Sequence, residues 1–214
     1  MDFFYSRFIK GLALDSLKAS QLSSLKKTVT PLAKAYHPCV ILSFYLPKVG
    51  STYLFSILKK LCHLPEYSLS WGYYQNEQNI DVDEVMKILD RDYLSKLMAQ
   101  ATLSNIDIIE LFALKPLVIT RSIADILVSL RDHFVYDTMH GQPEYTWPQL
   151  HVDHSFLDYS SEKQLDLLID HFTPWFVNFL VSWKMASKLL EHVLWITYDD
   201  ISLRLPDTVS RILD

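Results

Sequence analysis

A near-continuous apolar run, VILSFYL at residues 40–46, constrains the fold more than any other feature of the sequence. Strands that are apolar on both faces are typical of the interior of a parallel sheet, because helices cover both faces of such a sheet. The turn PKVGST follows at 47–52, and apolar side chains then recur at helical spacing as far as Leu61. We therefore predict a strand, a tight turn and a helix in succession, with residues 40–46 as a central parallel strand.

The same order of elements recurs later in the chain. Residues 117–120 (LVIT) predict a second strand, and Ser122 follows it at the position of a helix cap. Residues 193–198 (VLWITY) predict a third core strand. Apolar periodicity also predicts helices over 81–100, 105–114 and 160–192, and the stretch 138–159 predicts a long surface loop. Helices that alternate with apolar strands indicate an α/β domain with a parallel sheet and right-handed crossovers.

Composition and charge limit the kinds of ligand and compartment. Half of the 214 residues are hydrophobic, and 20 Lys and Arg stand against 25 Asp and Glu, which gives a formal net charge of -5. This balance argues against a protein that holds nucleic acid by bulk electrostatics, so an anionic ligand needs a local site. The two cysteines, Cys39 and Cys62, are too few for a disulfide framework, and we expect a reducing compartment.

The N-terminal residues are not expected to form a cleavable signal peptide. Apolar and charged side chains alternate near the start, unlike in a cleavable signal peptide, and no apolar run approaches the roughly 20 residues of a membrane-spanning helix. We expect a cytoplasmic protein with a single domain, 1–214, in which an N-terminal helical segment, 1–37, packs on a core at 38–205. A helix that lies on a membrane surface is the alternative for residues 3–35.

The turn after the first strand has the chemistry of an anion cradle. In an open parallel sheet, ligands bind beyond the carboxyl ends of the strands, where the following helices present their N-termini. Lys48 supplies a positive charge there, and Gly50 lets the backbone approach a ligand closely. Ser51 and Thr52 add hydroxyls and the N–H groups of a helix start. The turn therefore predicts a site for a phosphate or a sulfate.

A second cationic turn follows the second strand. Arg121 stands at the start of a helix, and Ser129 lies eight residues later, near the same face. Neither turn is the nucleoside triphosphate loop G-x-x-x-x-G-K-[ST], because Lys48 precedes Gly50 instead of following a second glycine. The sequence offers no strong carboxylate pair for magnesium, and we expect no metal site.

The order of these features resembles that of the sulfotransferases that use 3′-phosphoadenosine 5′-phosphosulfate (PAPS). LPKVGSTY at 46–53 looks like their 5′-phosphosulfate loop, P-K-x-G-[ST]-[ST]-[WY]. RSIADILVS at 121–129 is similar to their 3′-phosphate motif, an Arg and a Ser eight apart with an intervening Asp. ITYDD at 196–200 is similar to the strand that closes their core. The resemblance covers residues 38–205.

The resemblance implies a fold, a reaction and a set of binding residues. The fold is a P-loop NTPase-like three-layer α/β sandwich with a central parallel sheet. The reaction is metal-free, in-line transfer of a sulfonate from PAPS to a hydroxyl or amine of a small-molecule or glycan acceptor. Lys48 would stabilise the charge that develops on the bridging oxygen. The residues that would bind the nucleotide are Lys48, Val49, Gly50, Ser51, Thr52, Tyr53, Arg121 and Ser129.

The sequence departs from the family's pattern at two places. The alignment puts Met98 where the family has the His that deprotonates the acceptor, and a thioether cannot accept a proton at useful pH. The residues that could replace this His are His63, Glu66 and Glu77, while His133 is interpreted as a packing or hydrogen-bonding residue. The family usually continues past the last strand to a basic loop over the 3′-phosphate, whereas a helical stretch, 206–214, ends this sequence.

Three functions remain open at this point. The first is a PAPS-dependent sulfotransferase. The second is a catalytically impaired relative with a nucleotide-binding or regulatory role, which the Met at position 98 and the expected lack of the covering loop would favour. The third and weakest is a small-molecule kinase.

Overall fold

The structure is a computed structural model that describes residues 23, 24, 27, 40–71, 78–88, 90–140, 145–147 and 150–214. The helical segment predicted for residues 1–37 lies almost wholly outside these ranges. In chain order, the elements are β1 (Val40–Tyr45), α1 (Ser51–Cys62), β2 (Ser70–Trp71), β3 (Asn79–Ile80), α2 (Val82–Lys87), β4 (Tyr93–Leu97), α3 (Leu103–Leu111), β5 (Pro116–Thr120), α4 (Ile123–Met139), β6 (Tyr145–Trp147), β7 (Leu150–Val152), a 3₁₀ helix (His154–Asp158), α5 (Ser161–Ala186), β8 (Leu194–Thr197), α6 (Tyr198–Leu203) and α7 (Leu205–Leu213).

A parallel sheet in the order β4-β1-β5-β8 forms the centre of the described chain, and helices flank it. This architecture confirms the predicted α/β fold with a central parallel sheet. Strand β1 lies between β4 and β5, so the apolar run at 40–46 does form a central strand. Its Phe44 is fully buried, and the Phe44 ring packs 4.3 Å from the ring of Trp183 on α5. The predicted strands at 117–120 and 193–198 correspond to β5 and β8.

The helix predicted over residues 81–100 is wrong in its second half. Helix α2 ends at Lys87, and residues 93–97 form the sheet strand β4. Strand β4 pairs in parallel with β1 on one side. On its other side, Leu94 exchanges backbone hydrogen bonds of 2.9 Å with Pro65 and Tyr67. Pairing along both edges buries this short segment, and that non-local gain outweighs its helix-like apolar spacing.

Two further expectations are refined. The stretch 138–159 is not simply a loop, because helix α4 extends to Met139 and the antiparallel pair β6–β7 precedes the 3₁₀ helix. The helix predicted over 160–192 is one helix, α5, which continues through Pro174. The helix predicted over 105–114 corresponds to α3. None of the helices in the described ranges has the length and apolar character needed to cross a bilayer.

Candidate active site

The carboxyl ends of three neighbouring strands bring the polar turns of the sequence together. Tyr45 at the end of β1 is in register with Ile119 of β5, and Thr120 at the end of β5 is in register with Thr197 of β8. Because the strands are parallel, the chain leaves all three at the same edge of the sheet. The turn after β1, Arg121 and Tyr198 therefore lie beside one another.

The turn between β1 and α1 has an unusual backbone. Lys48 has φ 59°, and Gly50 has φ 81° and ψ 8°, so both lie in the left-handed region. Val49 between them is fully buried and anchors the turn in the core. Gly50 is the N-cap of α1 and has no side chain with which to cap the first-turn N–H groups. These N–H groups and the half-buried Lys48 belong to the turn for which the sequence predicts an anion cradle.

Gly50 also lies against an aromatic ring at the start of α6. A Cβ added to Gly50 would lie 3.4 Å from Cδ2 of Tyr198 and 3.8 Å from Cδ1 of Ile201. The ring of Tyr198, at the start of α6, is therefore packed against the turn. The first motif and the third motif of the sequence are in direct contact.

Arg121 joins the turn after β1 to Tyr198. Its Nη1 donates a hydrogen bond of 3.0 Å to the carbonyl oxygen of Lys48. Its guanidinium carbon lies 4.0 Å from the centroid of the Tyr198 ring, a cation–π contact. Its Nε is buried and has no hydrogen-bond partner among the described residues. A buried guanidinium nitrogen without a partner beside a set of helix N–H groups fits an anionic group such as a phosphate.

Helix α4 carries Ser129, the remaining residue predicted to bind the nucleotide. Ser122 is its N-cap but makes no side-chain capping hydrogen bond within the described chain. Ser129 is half-buried, two turns further along the helix. Thr52 and Tyr53, in the first turn of α1, are exposed, whereas Ser51 is buried. The predicted residues thus lie on two helix starts and one helix face at a single edge of the sheet.

His133, which the sequence indicates to be a packing or hydrogen-bonding residue, pairs with the buried Asp137 on the same helix, α4. Nδ1 of His133 lies 3.1 Å from Oδ2 of Asp137, at i, i+4 spacing. Burial and the positive charge of Lys48 lower the pKa of His133 from its ordinary value of 6.5, and the charge of Asp137 opposes this shift. The charge of Lys48 therefore acts on the imidazole. The available sequence signal was the i, i+4 spacing on the helix that carries Ser129.

Met98 occupies a position at the same edge of the sheet. It directly follows β4, it is buried, and its N–H donates a hydrogen bond of 2.6 Å to Oε1 of Gln78. Because Phe44 is in register with Leu97, Met98 lies beside Tyr45 of β1. Burial, followed by the negative charge of Glu66, raises the pKa of Tyr45 to about 12. A protonated phenol and a thioether therefore stand at the end of β1 and β4.

The three candidate replacements for the family's His differ in their placement. His63 is exposed at the C-terminus of the 12-residue helix α1, about 18 Å of helix length away from the anion cradle. Glu66 accepts ion pairs from Lys59 and Lys96, each at 3.5 Å. Glu77 lies outside the described residues. Among the described residues, neither His63 nor Glu66 forms an ion pair or a hydrogen bond with Lys48.

Asp200, the second residue of the acidic pair after β8, has a structural role. Oδ2 of Asp200 accepts hydrogen bonds from the N–H and the hydroxyl of Thr197, and the Thr197 hydroxyl caps α6 in return. Oδ1 of Asp200 pairs with Arg204 and lies 3.7 Å from Nη1 of Arg211. The hydrogen bond from the Thr197 N–H is the main cause that lowers the pKa of Asp200. This network fixes the start of α6 and, with it, Tyr198.

The described residues contain no group of three or more His, Cys, Asp or Glu side chains that could hold a metal ion. No protein-family model and no curated protein matches the sequence. Among solved structures, the chain is similar to mouse sulfotransferase SULT7A1, crystallised in complex with PAP, with a TM-score of 0.54 and 15% sequence identity. The match covers 87% of this chain and 61% of that sulfotransferase. The protein therefore has a sulfotransferase-like fold, and the chain matches less than two thirds of that relative's length.

Proposed function

We propose that the protein is a sulfotransferase that binds PAPS at the carboxyl edge of β1 and β5. The acceptor would be a hydroxyl or an amine of a small molecule or a glycan. The observation that supports this proposal most strongly is the position of Arg121. Its side chain donates a hydrogen bond to the carbonyl oxygen of Lys48 and stacks on the ring of Tyr198, while its buried Nε has no hydrogen-bond partner among the described residues. The likeness to a sulfotransferase crystallised with PAP adds support.

Each part of the cradle has a role in this proposal. The N–H groups of Gly50, Ser51 and Thr52 bind the 5′-phosphate, as a helix N-terminus binds anions. Arg121 and Ser129 bind the 3′-phosphate, for which the planar fork of an arginine is well suited. PAPS supplies a sulfonate on a phosphate leaving group, so positioning and charge stabilisation provide the catalysis. Lys48 neutralises the charge that develops on the bridging oxygen as the S–O bond breaks.

Binding of adenosine 3′,5′-bisphosphate (PAP), the nucleotide product, tests this proposal. A ligand present at 100 times its Kd stabilises a protein by about 2.7 kcal/mol, which corresponds to a rise in Tm of roughly 5–10 °C for a chain of this size. We expect PAP to raise the Tm of the unmodified chain in this way. No rise in Tm at millimolar PAP would contradict the proposal.

Two variants and a matched control locate the site. Lys48→Ala should abolish the PAP-dependent rise in Tm. Because alanine has a Cβ as lysine does, the substitution does not relieve the strain of the left-handed backbone at position 48. Arg121→Lys keeps the charge but loses the fork, so we expect a smaller rise. Lys60→Ala removes an exposed lysine at the far end of α1 and should leave the rise unchanged. Equal rises in Lys48→Ala and Lys60→Ala would place the nucleotide elsewhere.

The placement of Met98 favours a second candidate function, nucleotide binding without turnover. Met98 is buried at the strand end to which the resemblance assigns the proton acceptor. In this case PAP would still raise the Tm, but PAPS would not be turned over with a phenol or an amine as acceptor. Turnover by the unmodified chain would exclude this candidate.

A further inference from the structure

We propose that His133, oriented by Asp137, is the general base that removes the proton from the acceptor. This inference rests on the proposed sulfotransferase function. It assigns to α4 a role that Met98, at the end of β4, cannot perform. Asp137 acts through the imidazole and is a positioning residue.

The contact between the two side chains determines which ring nitrogen is basic. Nδ1 of His133 lies 3.1 Å from the Asp137 carboxylate, and the exposed fractions are 37% for the His133 side chain and 12% for that of Asp137. The carboxylate is thus mostly buried beneath an imidazole that still reaches the surface. A carboxylate can only accept a hydrogen bond, so the neighbouring Nδ1 must carry the proton that it donates. The contact therefore favours the tautomer with the proton on Nδ1 and the lone pair on Nε2.

The position of His133 along α4 brings it to the proposed site. The helix begins directly after the turn that carries Arg121, and His133 lies one turn beyond Ser129 on the same face. The charge of Lys48 lowers the pKa of His133, which is in keeping with this placement. In this proposal the acceptor lies between the sulfonate at Lys48 and the imidazole of His133.

The protonation state of His133 suits a base at neutral pH. Its partial burial and the ammonium of Lys48 lower the pKa from 6.5, so the neutral imidazole predominates at pH 7. The negative charge of Asp137 stabilises the imidazolium once the proton has been taken up. By contrast, Glu66 is held in ion pairs with Lys59 and Lys96, each at 3.5 Å.

The proposed step balances in atoms and charge. His133 Nε2 takes the proton of the acceptor hydroxyl while the hydroxyl oxygen forms a bond to sulfur. The S–O bond to the 5′-phosphate breaks, and its electron pair remains on the phosphate oxygen next to Lys48. The products are a sulfate ester, PAP and an imidazolium, which then returns its proton to water.

The first test needs no acceptor. NMR titration of the His133 ring, assigned with His133→Gln, gives its pKa in the unmodified chain and in two variants. Lys48→Met removes a positive charge and should raise the pKa of His133, whereas Asp137→Asn should lower it. At a fixed pH, the ring signals of His192, which is exposed in the loop before β8, should not move in either variant. A His133 pKa that is insensitive to Lys48→Met would overturn the proposal.

The second test separates this inference from the proposed function. PAP should raise the Tm of His133→Gln as much as that of the unmodified chain, because His133 does not bind the nucleotide. With PAPS and a phenol as acceptor, kcat of His133→Gln should fall by about 10²–10⁴-fold, the usual contribution of a general base. His192→Gln should retain full kcat. Unchanged kcat in His133→Gln, or PAP binding without any turnover by the unmodified chain, would overturn the role of His133 but leave nucleotide binding intact. Failure of PAP to bind at all would instead contradict the proposed function.

Discussion

Replacement of Gly50 by alanine tests how the backbone of the cradle supports the site. Gly50 has φ 81°, and a residue with a Cβ pays roughly 1–2 kcal/mol in this region. Alanine recovers about 0.4–1 kcal/mol by restricting the unfolded chain, so a net loss of about 1 kcal/mol is expected from the backbone alone. For a chain of this size, that loss corresponds to a decrease in Tm of roughly 2–4 °C.

The same substitution should weaken nucleotide binding more than it weakens the fold. The new Cβ would lie 3.4 Å from Cδ2 of Tyr198, in van der Waals contact, so the expected effect comes from the backbone. Relaxation of the left-handed φ would turn the first-turn N–H groups of α1, which we propose bind the 5′-phosphate. A hydrogen bond to a charged group is worth about 1.5–3 kcal/mol, which gives a loss of PAP affinity of roughly 10–150-fold.

Urea unfolding and thermal melts, each with and without PAP, measure both effects. Ala113→Gly is the matched control, because Ala113 has φ 52° at the end of α3 and glycine would relieve the cost that Gly50→Ala imposes. We expect Ala113→Gly to gain about 0.5–1 kcal/mol without a change in PAP binding. The reasoning is refuted if Gly50→Ala unfolds at the same urea concentration as the unmodified chain and binds PAP equally well.

Three further substitutions test other parts of the account. Tyr93→Phe should raise the free energy of unfolding by about 1–2 kcal/mol in urea titrations, because the Tyr93 hydroxyl is buried without a hydrogen-bond partner among the described residues; a loss of stability would show that the hydroxyl is satisfied. Since the folded pKa of Asp200 is lowered, its contribution to stability is present above the unfolded value of about 3.9 and is lost as the pH falls through the folded pKa. Asp200→Asn should therefore be less stable at pH 7 and lose less stability on acidification than the unmodified chain; equal acid sensitivity would count against this. His63→Gly should stabilise the chain by roughly 0.5–1 kcal/mol, because His63 has φ 54°, and should leave kcat unchanged; a drop in kcat would restore His63 as a candidate base.

The central strands could be predicted because the signal that identifies each one lies within the strand itself. A strand buried on both faces needs an apolar run, and β1, β5 and β8 each have one. Strand β4 could not be recognised in this way, because residues 93–97 fit a helical spacing equally well. Only the pairing of β4 with β1 and with the segment 65–67 decides between the two forms, and this pairing depends on distant parts of the chain.

The candidate site was predictable to a similar degree. The positions of Lys48, Gly50 and Arg121 at strand ends follow from the strand–turn–helix pattern and from the rule for ligand sites in parallel sheets. The contact of Arg121 with Tyr198 depends on the order of strands, which places β5 beside β8. The relation of His133 to Lys48 depends on how the whole fold positions α4, and the only signal in the sequence was the spacing of His133 to Asp137.

The measurement that tests the central claim most directly is a calorimetric comparison of PAP with adenosine 5′-monophosphate, which lacks the 3′-phosphate. If Arg121 and Ser129 bind that phosphate, PAP should bind more tightly by roughly 10–150-fold, the worth of one or two charge-assisted hydrogen bonds. Arg121→Lys should remove most of this difference. Equal affinities for the two nucleotides, or no binding of either, would contradict the assignment of this edge of the sheet as a PAPS site.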